Sequence, residues 1–428
     1  MSRLSCVKIA ILCVMALPLS RVVSAQPPGP PRSLTLEGAL AIASQNSPLM
    51  RAARVRIREA QGDLTGASML LRDNPVIAAS AGPRLSAQEG QDPTLDLDVG
   101  IQQQFEIGGQ RGDRIDRARA DIEAARASTE DVQRVIDLAV AVAFYETLGN
   151  RQRLELLDQN EQLARDLHQA AQRRLEAGEG TPLELNTARI RLAEARRQTI
   201  AARTALRSSS VRLAEILGLS PGTELSLSGE LPTQQSAPSM EALLARARRS
   251  RPDLVAAERR VEAARAAIDL ANAEAWPDIT VGVFYGQEEG DQTITARLRV
   301  PIPLFNRNQG ARERARAVRD RRIAERDAVE LTVASDLRQA LLAYEQAREA
   351  LALYDAEVLA AQSESLELLQ RAFEAGEVGI PDVLVVQREL IEGQAGFLAV
   401  RQELARALSR ARASANLPQT GSVQGDTR

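Results

Sequence analysis

The sequence predicts a mainly α-helical protein with a transmembrane β-barrel portion, organised as a tandem structural repeat. Three observations carry that reading. Two helical runs are too long for any compact domain, four segments alternate with strict period two, and the second half repeats the order of the first. Composition agrees. Of 428 residues, 44% are hydrophobic and only 3% aromatic, too little aromatic area for several conventional cores. The Ala, Leu, Arg and Glu background is that of long helices and coiled coils. The single histidine (His168) and the two cysteines (Cys6 and Cys13, both near the amino terminus) exclude disulfides, Cys/His zinc sites and thiol nucleophiles from the body of the chain. An enzyme is therefore not expected, and no metal or cofactor is assigned.

The chain opens with Arg3 and Lys8 ahead of an apolar run from Ile9 to Leu19, then Val23-Ser24-Ala25. This is the pattern of a signal peptide over residues 1–25, too short to span a bilayer. Neither cysteine follows a lipoprotein pattern, so no acyl anchor is expected. Loss of Arg3, Lys8 and Arg21 leaves 51 basic against 57 acidic residues, which gives no basic case for nucleic acid. Residues 26–34 are proline-rich and extended. No later segment reaches 18 consecutive apolar residues, so any membrane entry must be as β-strands.

Internal matches define the repeat. Leu36-Glu37 with Asn46-Ser47-Pro48 aligns with Met240-Glu241 and Ser250-Arg251-Pro252. Asn74-Pro75-Val76-Ile77 aligns with Trp276-Pro277-Asp278-Ile279, Arg117-Ala118-Arg119-Ala120 with Arg314-Ala315-Arg316-Ala317, and Glu176-Ala177-Gly178-Glu179 with Glu374-Ala375-Gly376-Glu377. The repeats occupy 35–217 and 239–415, joined by 218–238 and followed by a flexible tail over 416–428. The apolar content of 218–238 suggests a bound segment rather than a free linker.

Each repeat reads helix, strand, turn, strand, long helix, turn, helix. The first helices are expected over Leu36–Leu71 and Met240–Ala275, and the long ones over Gly112–Ala177 and Gly310–Ala375. Runs of that length extend about 100 Å at 1.5 Å per residue, as struts or tube walls. The second long helix carries a coiled-coil stripe of Val333, Leu337, Ala340, Tyr344, Ala347, Leu351 and Tyr354 that continues to Ala375. The first has a weaker one at Leu156, Asn160, Leu163, Leu167, Ala170 and Arg174.

The strands come next. Leu95, Leu97, Val99, Ile101, Phe105 and Ile107 alternate with Asp96, Asp98, Gly100, Gln102, Gln104 and Glu106. Ile294, Ala296, Leu298, Val300, Ile302 and Leu304 alternate with Thr293, Thr295, Arg297, Arg299 and two prolines. Ile279, Val281, Val283 and Tyr285 mark a third strand, with Ile77, Ala79 and Ala81 a weaker fourth. One apolar and one polar face suits a membrane barrel, with Asp96, Asp98, Glu106, Arg297 and Arg299 on the lumen side. A sheet with one face packed on helices is the competing reading. Four strands cannot close a barrel, so if these span a membrane the chain must oligomerise. The acidic turns Gln88–Asp92 and Gln287–Asp291 would be its external loops.

The arrangement resembles the TolC-type outer membrane factor family, and its motifs look like those of the CzcC-like heavy-metal-efflux branch. The matching residues are Asn74-Pro75, the junction Phe105-Glu106-Ile107-Gly108-Gly109-Gln110-Arg111-Gly112, and the junction Pro301-Ile302-Pro303-Leu304-Phe305-Asn306-Arg307-Asn308-Gln309-Gly310. Gly108, Gly109, Asn308 and Gly310 are thus the candidate strand–helix hinges. The resemblance covers essentially the whole mature chain. It implies a homotrimer whose four strands per chain form a shared 12-stranded barrel in outer-membrane lipid, continued by a helical barrel through the periplasm, with 218–238 as an equatorial belt. It also implies a periplasmic membrane-fusion adaptor and an inner-membrane RND-type pump as partners, with this chain as the passive exit duct for heavy-metal cations.

The helix-to-helix turns read RRLEAGEGTPLEL over 173–185 and RAFEAGEVGIPDV over 371–383. Gly178 and Gly376 are C-terminal stops. Thr181-Pro182-Leu183-Glu184 is a capping box with proline at the first helical position, and Gly379-Ile380-Pro381-Asp382 is its looser counterpart. By the resemblance these turns, with Glu179, Gly180 and Glu377, form the periplasmic tip that docks the adaptor and narrows to an aperture. Asp382 matches one acid of the aperture rings, while the next ring position falls on Val385. Glu184 and Asp382 either cap helices only or cap and line the aperture. His168 has no second imidazole or thiol to join in holding a metal. Organic-compound efflux, a periplasmic adaptor and an exported coiled-coil scaffold are the alternatives; an adaptor would carry one helical hairpin, whereas two are read here.

Overall fold

The computed structural model describes residues 33–84, 94–232, 240–288, 291–354 and 377–420, with scattered helical positions between 358 and 372. The expected signal peptide, the turn at 88–92, Glu289, Gly290, Gly376 and the tail beyond 420 lie outside the described residues. The first half runs α1 (Leu36–Asn46), α2 (Pro48–Ala67), β1 (Val76–Arg84), β2 (Thr94–Phe105), α3 (Gln110–Glu176) and α4 (Pro182–Ile216). The second repeats it as α5 (Met240–Ser250), α6 (Pro252–Ala273), β3 (Ile279–Glu288), β4 (Asp291–Arg299), α7 (Gln309–Ala352) and α8 (Ile380–Ser414).

Each expected first helix is in fact two. The chain leaves the helical region at Ser47 (φ −56°, ψ 127°) and Arg251 (φ −72°, ψ 119°). Both precede a proline, whose ring excludes the α conformation from the residue before it while itself starting a new helix well. The match between halves also runs deeper than expected. Asp137-Leu138 and Tyr145-Glu146 recur at the same spacing as Asp336-Leu337 and Tyr344-Glu345.

Helix α3 has 67 residues and spans about 100 Å at the α-helical rise. Its buried row is Leu157, Asn160, Ala164, Leu167 and Ala171, so the expected stripe is corrected at Leu156 and Ala170, which are only half-buried, while Leu163, also half-buried, packs against the cluster of Leu167 and Ala171. An Ala-rich helix presents adjacent rows of similar bulk, and the neighbours decide which one is covered. In α7 the expected row holds, with Val333, Leu337, Ala340, Tyr344 and Ala347 buried. That helix ends at Ala352 rather than running on unbroken, and the chain turns at Leu353–Tyr354. No Gly or Pro marks the break. It coincides with a tertiary contact: the Tyr354 ring lies 5.4 Å from Phe397, with its hydroxyl over the notch left by Gly396.

The largest core gathers Ile136, Val140, Phe144 and Leu148 of α3 with Leu213, Leu217, Leu227 and Leu231. The segment after α4 is therefore bound to the helices. It forms a parallel bridge from Leu227 to Leu34, with Leu34 N–H donating to Ser226 O at 2.7 Å and Ser228 N–H to Leu34 O at 3.0 Å.

The four strands make one antiparallel sheet in the order β1-β2-β3-β4. Ile77 faces Ile101, Ile101 faces Val283, and Val283 faces Ala296 across the three ladders. β4 stops at Arg299 although the alternation continues to Leu304, because Pro301 and Pro303 have no N–H to extend a ladder. No described helix is long and apolar enough to cross a membrane.

Candidate functional site

The sheet register sorts side chains onto two faces. On one lie Ile77, Leu97, Val99, Ile101, Phe105, Val281, Val283, Tyr285, Ile294 and Leu298, all large and all exposed. No described helix covers them, which removes the reading of a sheet packed on helices. A continuous exposed apolar sheet face of this size is a contact surface for something apolar. Below its helix-side edge, Trp276, Ile302, Leu304 and Phe305 are exposed as well, the position of an interfacial aromatic girdle.

The opposite face is polar and concave, and carries Asp96, Asp98, Gln102, Gln104, Thr280, Arg297 and Arg299 in register. Phe284 also lies on this face, only 4% exposed. It is seated between two glycines: a Cβ on Gly100 would come within 2.3 Å of its ring, and one on Gly282 within 2.7 Å. Arg297 stacks over it at 4.0 Å from the ring centre and donates to Asp98 at 2.6 Å. An aromatic ring, a cation and an acid from three different strands thus form one ledge. The alternation had singled out Val283 and Tyr285 and left Phe284 without a role. Gly100 and Gly282, small residues inside strands, were the available signal. Glu106, expected on the lumen face, is instead one residue past β2 and pairs with Arg114 of α3, so it belongs to the base of the sheet.

Two junctions carry the strands into the long helices by the same device. Gln110 Oε1 accepts from Gly108 N–H, and Gln309 Oε1 from Arg307 N–H, both at 2.7 Å. The residue between is left-handed and caps the helix: Gly109 at φ 83° and Asn308 at φ 57°. Asn308 is an allowed non-glycine there because its short amide can bond locally, and its Nδ2 donates to Ala271 O at 3.0 Å. A side chain on Gly108 would meet Trp276 at 2.6 Å. Gly310 is the second residue of α7 with open space beside it, so the turn itself rests on Asn308.

At the far end of α3, Gly178 is left-handed (φ 77°) and the N–H groups of Glu179 and Gly180 both reach Arg174 O. Thr181 and Glu184 complete a reciprocal capping box ahead of Pro182, at 3.2 and 3.0 Å. In the second turn only half of that box exists. Gly379 N–H donates to Asp382 Oδ2 at 3.3 Å, and glycine has no side chain to answer. Pro381 sits in the first turn of α8, and Glu377 N–H bonds Ala372 O. Leu167 and Ala171 of α3, Ala188 of α4 and Val383 and Leu384 of α8 pack into one cluster, bringing the two turns together. Asp382 and Val385 are exposed beside it. Asn160 and Gln387 bond across the same seam at 2.9 Å, both buried. His168 is half-buried on α3.

The halves join mainly through three contacts, α3 against α6, α3 against α8, and β2 paired with β3, with a smaller one between α4 and α8. The repeat counterparts of the main three are α7 against α2, α7 against α4, and β4 against β1. Within the chain, β1 and β4 are unpaired edges, and α7 forms no comparable interface with α2 or α4. Leu331, Leu342 and Leu353 on one side of α7 are exposed, as are Ile190, Ile200 and Val211 of α4. An interface used once and left open on both sides is the head-to-tail kind, which closes into a ring where its rotation permits and otherwise builds a filament.

The model of the outer membrane efflux protein family matches residues 39–219 and again 243–417, one half each. The cobalt-zinc-cadmium resistance protein CzcC of Cupriavidus metallidurans is 26% identical over 86% of this chain and 86% of its own length. The pyoverdine export outer membrane protein OpmQ of Pseudomonas putida is also 26% identical, over 84% and 81%. The outer membrane protein VceC of Vibrio cholerae has the same fold, with a TM-score of 0.70 at 18% identity over 90% of this chain and 97% of its own. With both halves matched in order, and with one wet and one apolar sheet face between open strand edges, the chain belongs to the outer membrane efflux protein family.

Proposed function

We propose that three copies of this chain close a twelve-stranded barrel in the outer membrane and continue it inward as a helical tube. That assembly is a passive exit duct for heavy-metal cations, fed by an inner-membrane RND-type pump through a periplasmic membrane-fusion adaptor. One observation carries the reading: each of the three main contacts between the halves has a counterpart not made within the described chain, and a neighbouring copy placed head to tail would supply all three. The exposed apolar face then meets lipid, and the strand edges, otherwise a liability, disappear. An N-terminal signal peptide would export the chain, and the turns bearing Glu184 and Asp382 would form the adaptor-docking tip and aperture.

The similarity to a cobalt-zinc-cadmium resistance protein supports metal cargo. Equal identity to a pyoverdine exporter supports organic cargo as the second reading. The deciding experiments are membrane fractionation, cross-linking of the detergent-purified protein, and conductance in a planar bilayer. An outer-membrane trimer that conducts is expected, and a detergent-independent soluble monomer overturns the proposal. Growth of a deletion strain on metals and drugs then separates the cargoes.

A further inference from the structure

We propose that the inner wall of the barrel sorts solutes by charge in two opposed layers. Asp96, Asp98 and Asp291 form an acidic layer toward the hairpin ends, Arg297 and Arg299 a basic layer toward the helices, and Phe284 marks the level between them. The proposal rests on the reading of the chain as a barrel-forming duct.

The order of levels follows from register. Asp291 pairs at the hairpin end of β3, and Asp98 faces Gly286. Next inward, Gly100 faces Phe284, and beyond it Gly282 faces Arg297 and Thr280 faces Arg299. All of these polar side chains lie on one face, around a cleft of about 630 Å³ that includes Asp98, Phe284, Arg297 and Arg299 in its wall. Arg297 is spent on Asp98 and on the ring, so it fixes the boundary between the layers. Arg299 is exposed and has no ion pair among the described residues. It supplies the unopposed positive charge.

Twelve strands 4.8 Å apart and tilted by about 40° give a backbone radius of about 12 Å. Side chains narrow that further, so at about 0.1 M salt, where the Debye length is ~10 Å, charges on opposite walls act on the same solute. A simple cation is attracted by the first layer and repelled by the second, and a simple anion the reverse. Solutes that are neutral, zwitterionic or charge-compensated cross both. A heavy-metal cation would pass the basic layer with anions coordinated to it, which narrows the proposed cargo to a ligated species.

Opposed layers also rectify. Current is larger when the field drives cations from the acidic end toward the basic end, because each layer then draws its favoured ion from the nearer bath. The test is single-channel recording of the full chain at about 0.1 M salt or below, at equal and opposite potentials and across a salt gradient. The parent is expected to rectify. Arg299→Gln, at an exposed unpaired position, should weaken rectification and shift the reversal potential toward the cation value. Asp96→Asn with Asp291→Asn should shift it toward the anion value. A symmetric parent current, or reversal potentials that do not move in opposite directions, overturns the two layers while leaving a conducting duct. Absence of any conductance in the parent overturns the duct reading and the layers with it.

Discussion

Arg251, 3% exposed at the break between α5 and α6, donates to Asp336 of α7 at 2.7 Å, also engaging Asp253 at 3.0 Å. The first half has no equivalent. Ser47 stands where Arg251 would be, and the matching acid, Asp137, accepts from Gln133 at 2.6 Å. One half thus clamps its helix break onto the long helix by charge, and the other does so by packing Met50 with Ile136 and Val140.

Replacing Arg251 by Met should therefore cost about 2–3 kcal/mol, the range for losing hydrogen bonds to charged groups. Asp336→Asn should cost less, since Asp336 is 44% exposed and solvent screens it. Thermal unfolding followed by circular dichroism in detergent measures both. Equal melting points for parent and Arg251→Met would show the clamp to be idle.

Asp137 gives a pH-dependent prediction. Burial raises its pKa above the usual 3.8, against the opposing hydrogen bond from Gln133. Its charged form is therefore disfavoured in the folded state, a penalty present above the folded pKa and relieved as pH falls through it. Asp137→Asn should raise the melting temperature at neutral pH, and its advantage should shrink as the pH is lowered toward the ordinary carboxylate range. A variant less stable than the parent at neutral pH contradicts this.

The repeat, the sheet faces and the length of α3 were legible because each is written in local sequence pattern. The breaks at Ser47 and Arg251 were written in Pro48 and Pro252, but a helical pattern on both sides masked them. The α3 seam was half legible. Leu157 and Leu156 are equally apolar, and only contact with α4 and α8 selects between them. The ledge of Phe284, Arg297 and Asp98 was legible only as the two strand glycines Gly100 and Gly282, since cross-strand register brings Asp98 to Phe284 across 186 positions of sequence and to Arg297 across 199.

That ledge predicts a suppressor pair. Gly100→Ala places a methyl within 2.3 Å of the Phe284 ring, so it should lower the yield of the proposed trimer, measured as cross-linked oligomer on electrophoresis. Phe284→Ala in the same chain should restore it only in part, because the same methyl also falls 2.6 Å from the Val283 carbonyl oxygen. Gly100→Ala with full oligomer yield would mean that the ring can leave its seat freely.

Asn160 and Gln387 predict a non-additive pair. They are buried together between α3 and α8, and Gln387 Oε1 has no partner among the described residues. Asn160→Leu or Gln387→Leu alone strands a buried polar group and should cost about 1–3 kcal/mol. The double variant should lie near the parent, as replacing both partners often does. If the two single costs simply add, the pair does not act as a unit.

Asp382 separates capping from charge at the aperture. Its carboxylate accepts from Gly379 N–H at 3.3 Å, and Val383 and Leu384 beside it hold the two turns together. Asp382→Ala removes both the charge and the bond from Gly379 N–H, at about 1 kcal/mol for the bond. Asp382→Asn keeps an acceptor for Gly379 and removes only the charge. If Asp382 lines the aperture, both variants should raise basal conductance and antibiotic leakage, the Asn variant without the loss in melting temperature. If the residue only caps α8, conductance should stay at the parent value in the Asn variant, and stability should fall in the Ala variant alone. Glu184 offers the internal comparison, because its complete capping box with Thr181 makes the Glu184→Gln variant retain the bond to Thr181 N–H while losing the charge.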